Sequence, residues 1–271
     1  MVKALSLLLA GLLSGSVALC EEAAMPAAGG PALSADEVVH KANIASYYAG
    51  DDGRAKVTMT ITDSRGRTRT REFTILRMDV EEGGEQRFYV YFHRPPDVAK
   101  TTYLVWKHPG KDDDRWLYLP ALDLDNRVAA SDKRTSFVGS DFLYEDVSGR
   151  GEEEDEHELL GEENGMYVIK STPRDPAGVE FAYFKVWIDA ATFLPMKAEY
   201  YNAQGVHYRT VEALQVEDVE GHPTATRMKA SDLEGGGFTV MEFSGMDYDV
   251  GLEEDIFEDR YLRRPPRRWL R

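Results

Sequence analysis

Cysteine is nearly absent from this chain. The one thiol in 271 residues is Cys20, close to the start. No disulfide, thiolate metal site or thiol nucleophile is therefore expected in the rest of the chain. Histidine is also scarce. The six, at 40, 93, 108, 157, 207 and 222, show no pair at metal-ligand spacing, so neither a metal nor a cofactor is expected. The acidic run Gly151 to Glu158, "GEEEDEHE", lacks the pattern of a calcium loop and reads as a solvated hairpin or strand edge. Phosphate-binding glycine loops are missing, and Gly139-Ser140-Asp141 lacks the spacing of a nucleophile elbow. After the first twenty residues no apolar run reaches transmembrane length. Basic residues are short as well: 32 against 48 acidic, a net charge of −16, which argues against nucleic acid as a partner.

What is present begins with an export signal. Lys3 precedes the apolar run "ALSLLLAGLLSGSVAL", too short to span a bilayer and followed by small residues. Residues 1–20 are read as a signal peptide and 21–33, rich in small residues, Pro and Gly, as a linker. Leu19 before Cys20 is a poor fit to a lipoprotein signal. The remaining chain, about 250 residues, suits one large domain and carries a net charge near −17 once Lys3 is removed. A soluble periplasmic monomer is expected. Residues 34–262 form that domain, and 263–271 close the chain as an Arg-rich tail, either touching anionic headgroups or a membrane partner, or simply solvated.

The domain opens with a helix, for Ser34 and Glu37 make a capping box and Val38, Ala42, Ala45 and Tyr48 come next at helical spacing. The period then changes to two. In "KVTMTIT", Val57, Met59 and Ile61 face one way and the threonines the other. Such runs recur to "FTVMEFSGM", separated by short Gly-, Asn- and Asp-rich turns, giving ten or eleven strands in an antiparallel meander. So many strands in one sheet curl into a barrel or half-barrel. Two stretches interrupt the alternation. Ala121 to Gly151 contains "SFVGSDFLYED", where Ser140 is a plausible N-cap of a short helix. Leu252 to Leu262 is a second candidate helical turn.

Asp141 and Glu145 lie four residues apart, a spacing that lets two carboxylates meet as a glycosidase-like pair. The competing structural reading is preferred: Asp141 favours a helix start, and the neighbouring acids pair with Arg127, Lys133, Arg134 or Arg150. The more informative feature is apolar excess on a curled sheet. Trp116 and Tyr118 alternate with Leu117 and Leu119, so both faces of that strand are apolar. Phe88, Val90 and Phe92 share a face, as do Ala182, Phe184, Val186 and Ile188, and Met241 with Phe243. A half-open sheet with such a concave face needs a lid or a ligand.

The segments "RWLYLP", Arg115 to Pro120, and "SFVGSDFLYED", Ser136 to Asp146, resemble the outer-membrane lipoprotein-sorting protein family, relatives of LolA and LolB. The resemblance extends over residues 34 to 262. It implies a mainly β (α+β) fold, a half-open antiparallel β-barrel whose mouth is plugged by a few short helices. It also implies an acyl-chain-binding cavity, no catalysis, and transport of lipid or lipoprotein toward the outer membrane between an inner-membrane exporter and an outer-membrane acceptor. On this basis Trp116, Tyr118, Phe137, Phe142 and Tyr144 are expected to line or cap the cavity with Phe184, Met241 and Phe243. Arg115, Arg127, Arg134, Asp141, Glu145 and Asp146 are expected to anchor the lid. The alternatives are an envelope hydrolase using Asp141 and Glu145, and a non-enzymatic scaffold of an export complex.

Overall fold

The computed structural model describes residues 33–271 apart from position 82; the expected signal peptide and all but the last residue of the linker lie outside the described residues. Helix α1 (Ala35–Tyr47) starts where the capping box predicts. The Glu37 amide donates to Ser34 Oγ at 3.2 Å, and the Ser34 amide donates to Glu37 Oε2 at 2.7 Å. Two backbone donors that the helix leaves unpaired are thus satisfied. Val38 and Ala42 bury the apolar stripe against Ile169, Val186 and Ile188.

Thirteen strands come after it in one antiparallel sheet. They are β1 (Asp52–Thr62), β2 (Thr68–Asp79), β3 (Gln86–Arg94), β4 (Thr102–Lys107), β5 (Asp114–Leu119), β6 (Leu124–Arg127), β7 (Asp155–Glu163), β8 (Met166–Pro173), β9 (Tyr183–Asp189), β10 (Pro195–Tyr201), β11 (His207–Val219), β12 (His222–Asp232) and β13 (Gly237–Tyr248). Their spatial order is β6-β5-β4-β3-β2-β1-β13-β12-β11-β10-β9-β8-β7. The chain therefore enters and leaves the sheet at its centre, where β1 pairs with β13. The edges, β6 and β7, are consecutive in sequence and not hydrogen-bonded to each other, so the barrel is half-open. Residues 128–154 have to cross the gap between them. This is the longer of the two stretches in which strand alternation stops.

The expected ten or eleven strands become thirteen because β6 was not visible as a strand and β7 showed only in the acidic run 151–158, read as a solvated hairpin or strand edge. Every residue of β6 is exposed, and β7 has only Asp155 buried. Edge strands of this kind lack the buried face that generates alternation.

Strand parity divides the apolar residues between two cores. On the concave side Val57, Met59, Phe73, Phe88, Val90 and Met241 pack with Phe137, Phe142 and Tyr144 from the crossing segment. On the convex side Leu76, Tyr89 and Leu104 are covered by residues 250–271. This C-terminal strap is fixed by Asp52, whose carboxylate accepts from the Val250 and Leu252 amides at 2.7 and 2.6 Å. Further along, Trp106 Nε1 donates to the Phe257 carbonyl and Tyr89 Oη to the Tyr261 carbonyl, each at 2.8 Å. The expected helical turn appears as a 3-10 turn at Glu254–Phe257 and a short helix at Arg260–Arg263. The expectation of a free tail from residue 263 onward is corrected: Trp269 and Leu270 are buried in the convex core.

Candidate binding cavity

The concave core is not filled. A cavity of about 440 Å³ lies between α1, the crossing segment and the sheet. Val39, Ala42 and Tyr47 of α1 contribute one wall. Phe73, Ile75, Phe88 and Val90 from β2 and β3 contribute a second, and Phe184, Val186, Ile188 and Ala198 from β9 and β10 a third. Met228, Met241 and Phe243 complete the apolar lining, with Phe137, Phe142 and Val147 of the crossing segment at the closed end. Charged residues also line it, among them Arg54, Asp247, Lys197 and the largely buried pair Arg150 and Asp155. They are paired within the protein, Arg54 donating to Asp247 at 2.6 Å, Lys197 to Glu199 at 2.8 Å and Arg150 to Asp155 at 2.8 Å, so what the cavity offers a ligand is mainly apolar contact.

The crossing segment forms a plug. Residues 136–143 fold back on themselves, the Phe137 amide donating to the Phe142 carbonyl at 2.7 Å. The turn places Val138 and Gly139 at φ +48° and +76°, a conformation that glycine adopts freely and a β-branched residue resists. Phe137, fully buried, is driven into an aromatic nest: its ring lies 5.5 Å from Tyr144, 5.7 Å from Tyr103, 5.8 Å from Phe92 and 6.1 Å from Phe73. Helix α2 (Tyr144–Ser148) comes next. Ser140 is not its N-cap, as the sequence had suggested. Its hydroxyl donates instead to the Phe137 carbonyl at 2.8 Å, closing the turn, while the Asp146 carboxylate accepts from the Leu143 amide at 2.7 Å.

The plug meets the two halves of the sheet through different chemistry. Toward β2–β4 its contacts are mainly the aromatic ones above. Toward β7–β11 they are ionic. Glu145, 2 % exposed, is held by Arg134 and lies 3.3 Å from both Lys133 and Arg150. Burial alone would raise its pKa, but the charges of Arg134, Arg150 and Lys133 prevail and hold the carboxyl below its usual range. Arg134 in turn donates to both oxygens of Glu180, at 2.8 and 2.7 Å, and stacks 4.7 Å from the Phe181 ring centre. Arg150 reaches the Asp155 carboxylate of β7 at 2.8 and 3.0 Å. Asp146 is bound by Arg209 of β11. Asp141 exchanges hydrogen bonds with Thr239 of β13: its amide donates at 3.0 Å and its carboxylate accepts at 2.6 Å.

Two anchors were not foreseen. Lys107 of β4, its ammonium driven down in pKa by burial, donates to the Ser148 and Gly149 carbonyls at 2.6 and 3.1 Å. Gly149, at φ +77°, brings the backbone against Tyr47, where an added Cβ would sit 2.7 Å from the ring. Gly149→Ala is accordingly expected to lose about 2 kcal/mol of stability, measurable by denaturant unfolding, because both the backbone angle and the α1 contact oppose a side chain.

Of the predicted lining residues, Phe137, Phe142, Phe184, Met241 and Phe243 do line the cavity. Tyr144 sits one layer away, supporting Phe137. Trp116 and Tyr118 are a correction: they face the convex core. The β4–β5 register pairs Trp116 with Leu104 and Leu117 with Tyr103, so Leu117 and not Trp116 points to the concave side. Of the predicted anchors, Arg134, Asp141, Glu145 and Asp146 hold the plug. Arg115 contributes from below, buried and bonded at 2.6 Å to Asp113, which accepts from Ser148 Oγ at 3.5 Å. Arg127 does not take part; it is exposed on β6, paired with Asp114. The proposed acid–base pair is also corrected, because Glu145 is committed to three cations and neither it nor Asp141 lines the cavity. The lining residues from α1 were missed, although Val38 and Ala42 had already marked which side of that helix is buried.

A family model whose description reads "Uncharacterized protein" matches residues 84–264. No curated relative matches the chain in sequence. Among solved structures, a DUF1329 family protein from Desulfovibrio piger is similar at 29 % identity and a TM-score of 0.78, over 84 % of this chain and 97 % of that one. A putative outer membrane lipoprotein-sorting protein domain from Vibrio parahaemolyticus is similar at 27 % identity and a TM-score of 0.76, over 84 % and 98 %. A LolA superfamily protein from Nitrosomonas europaea shares the fold at 20 % identity and a TM-score of 0.67, over 85 % and 100 %.

Proposed function

Because the chain belongs to the family matched over residues 84–264, and its structural neighbours are DUF1329 and outer-membrane lipoprotein-sorting proteins of the LolA superfamily, we propose that it is a periplasmic carrier of lipid or lipoprotein acyl chains. The observation that supports this is the apolar cavity closed at one end by the plug. A carrier of this type needs no reacting group: it takes an acyl chain from an inner-membrane exporter, shields it from water and releases it to an outer-membrane acceptor. Among the described residues no helix is long and apolar enough to cross a membrane. A scaffold in an export complex would have no use for a hollow interior.

The cavity's 440 Å³ falls within the roughly 300–1,000 Å³ typical of sites that bury a small apolar ligand, a scale that suits an acyl chain. Each methylene buried there gains about 0.8 kcal/mol, from which the cost of immobilising the chain is subtracted.

Native mass spectrometry after gentle purification, then delipidation and titration with a fluorescent fatty acid, tests the carrier role. One chain per protein is expected. Ala198→Phe, which fills the cavity from β10, is expected to weaken binding at least tenfold, and Val211→Phe from β11 provides an independent variant should the first fold poorly. A chain that purifies empty and rebinds nothing would sink the proposal.

A further inference from the structure

The convex face carries a second feature, unconnected with the cavity. The last twelve residues, Arg260 to Arg271, contain six arginines and no acidic residue. The rest of the chain has 26 basic against 48 acidic residues, a net charge of −22. The strap sorts its side chains by character: Leu262, Pro266, Trp269 and Leu270 are buried, while Arg263, Arg264, Arg267, Arg268 and Arg271 are exposed. Anchorage is thus mainly apolar, and only half of the six arginines are engaged in ion pairs. Arg263 is engaged by Asp123 and Asp125, Arg260 by Asp255 and Glu258, and Arg268 stands 3.8 Å from Glu253. Arg264, Arg267 and Arg271 have no ion-pair partner among the described residues. Pro265 and Pro266 restrict the backbone between them, so the array is held in place rather than trailing.

We propose that this arginine face of the strap is a docking surface for an anionic phospholipid membrane. Guanidinium groups suit phosphate oxygens, which they bind in pairs. The array is exposed, and lipids rearrange laterally to meet spaced charges of this kind. The net charge of −22 elsewhere repels an anionic surface, so attraction is confined to one orientation. Because screening limits such forces to about 8–10 Å at physiological salt, distant carboxylates count little, and of the acids that precede the array Glu253, Asp255 and Glu258 already lie against Arg268 and Arg260. Docking of this kind is independent of what the cavity holds.

Flotation of the full chain with vesicles tests it. The wild type is expected to bind vesicles of phosphatidylcholine mixed with phosphatidylglycerol, to leave vesicles of phosphatidylcholine alone, and to be released by high salt. Replacing Arg264, Arg267 and Arg271 together by Ser is expected to weaken binding about 100-fold, equivalent to about 3 kcal/mol. Since none of the three is ion-paired, unfolding curves should coincide with the wild type. The corresponding Lys replacements are expected to retain most of the binding. The apolar run near the start is common to all variants and cannot produce the difference. The Ala198→Phe variant, impaired in acyl binding, is expected to dock as the wild type does, which keeps docking separable from the proposed function. Equal binding to neutral and anionic vesicles, no binding to either, or full binding by the Ser variant would overturn it, the second outcome pointing to an acidic protein as the partner.

Discussion

Phe137→Ala is expected to cost about 3–5 kcal/mol, the range for deleting a fully buried phenyl ring, and to release the plug at the same time. Phe137 is 0 % exposed and touches aromatic rings on β2, β3 and β4 as well as Tyr144 behind it. Those strands are fixed by their own ladders and will not collapse onto the hole. The vacated space therefore joins the cavity that Phe137 now closes. Two measurements check this. Denaturant unfolding should show the loss of stability, and limited proteolysis should cut within residues 128–154 in the variant before the wild type. If the variant retains a fold, its preference among fatty acids is expected to move toward longer chains. Phe137→Leu, which keeps most of the apolar volume, is expected to lose only about a third to a half as much.

The second large effect concerns the opposite side of the plug. Glu145→Ala is expected to destabilise by about 3 kcal/mol, the lower end for breaking a buried ion pair. It is the lower end because each cation left behind keeps another carboxylate: Glu180 for Arg134, Glu154 for Lys133, and Asp155 and Glu154 for Arg150. The pH dependence gives a sharper signature. Glu145 and Glu180 both have folded-state pKa values held below the ordinary range, each against the opposing effect of burial, Glu145 by the charges of Arg134, Arg150 and Lys133 and Glu180 chiefly by its hydrogen bond and charge interaction with Arg134. A carboxyl depressed in this way contributes stability that is complete above its unfolded value, about 4.3, and is lost as the pH falls through the folded one. The plug is therefore expected to loosen on the acid side of about pH 4. Asp141 works the other way, since burial raises its pKa, so its contribution weakens as the pH rises. Comparing Glu145→Gln with the wild type isolates the first effect: the variant's stability should depend less on pH between about pH 3 and 5. Parallel curves would show that Glu145 is not the group responsible.

The sheet was largely legible from the chain because alternation is a local property. A strand with one buried face writes its period into the residues, as Val57, Met59 and Ile61 do in β1, and the pairing of neighbours is implied by the short Gly- and Asn-bearing loops between them. The edge strands were harder to read for the same reason in reverse: β6 escaped, and β7 showed only in part, as an acidic solvated hairpin or strand edge. With few or no residues buried, they carry no period to read. The break in alternation showed only that the plug lies outside the strands; the roles of its aromatics and acidic anchors came from the resemblance of "SFVGSDFLYED" to the sorting-protein family.

What the sequence alone determined is an antiparallel meander curled into a barrel or half-barrel, its capped first helix, an apolar concave face, and a stretch, residues 121–151, in which alternation stops; the half-open form was what the family resemblance implied. Tertiary structure alone decided which side of β5 faces the interior. Trp116 and Leu117 are equally apolar, and nothing local distinguishes them; the choice depends on register with β4 and on a strap about 140 residues further along that covers Trp116. It also decided that Glu145 is an anchor rather than an acid. That outcome depends on Arg134, Arg150 and Lys133 converging in space, and the pKa of a buried carboxyl is set by the charges around it and not by its own place in the chain.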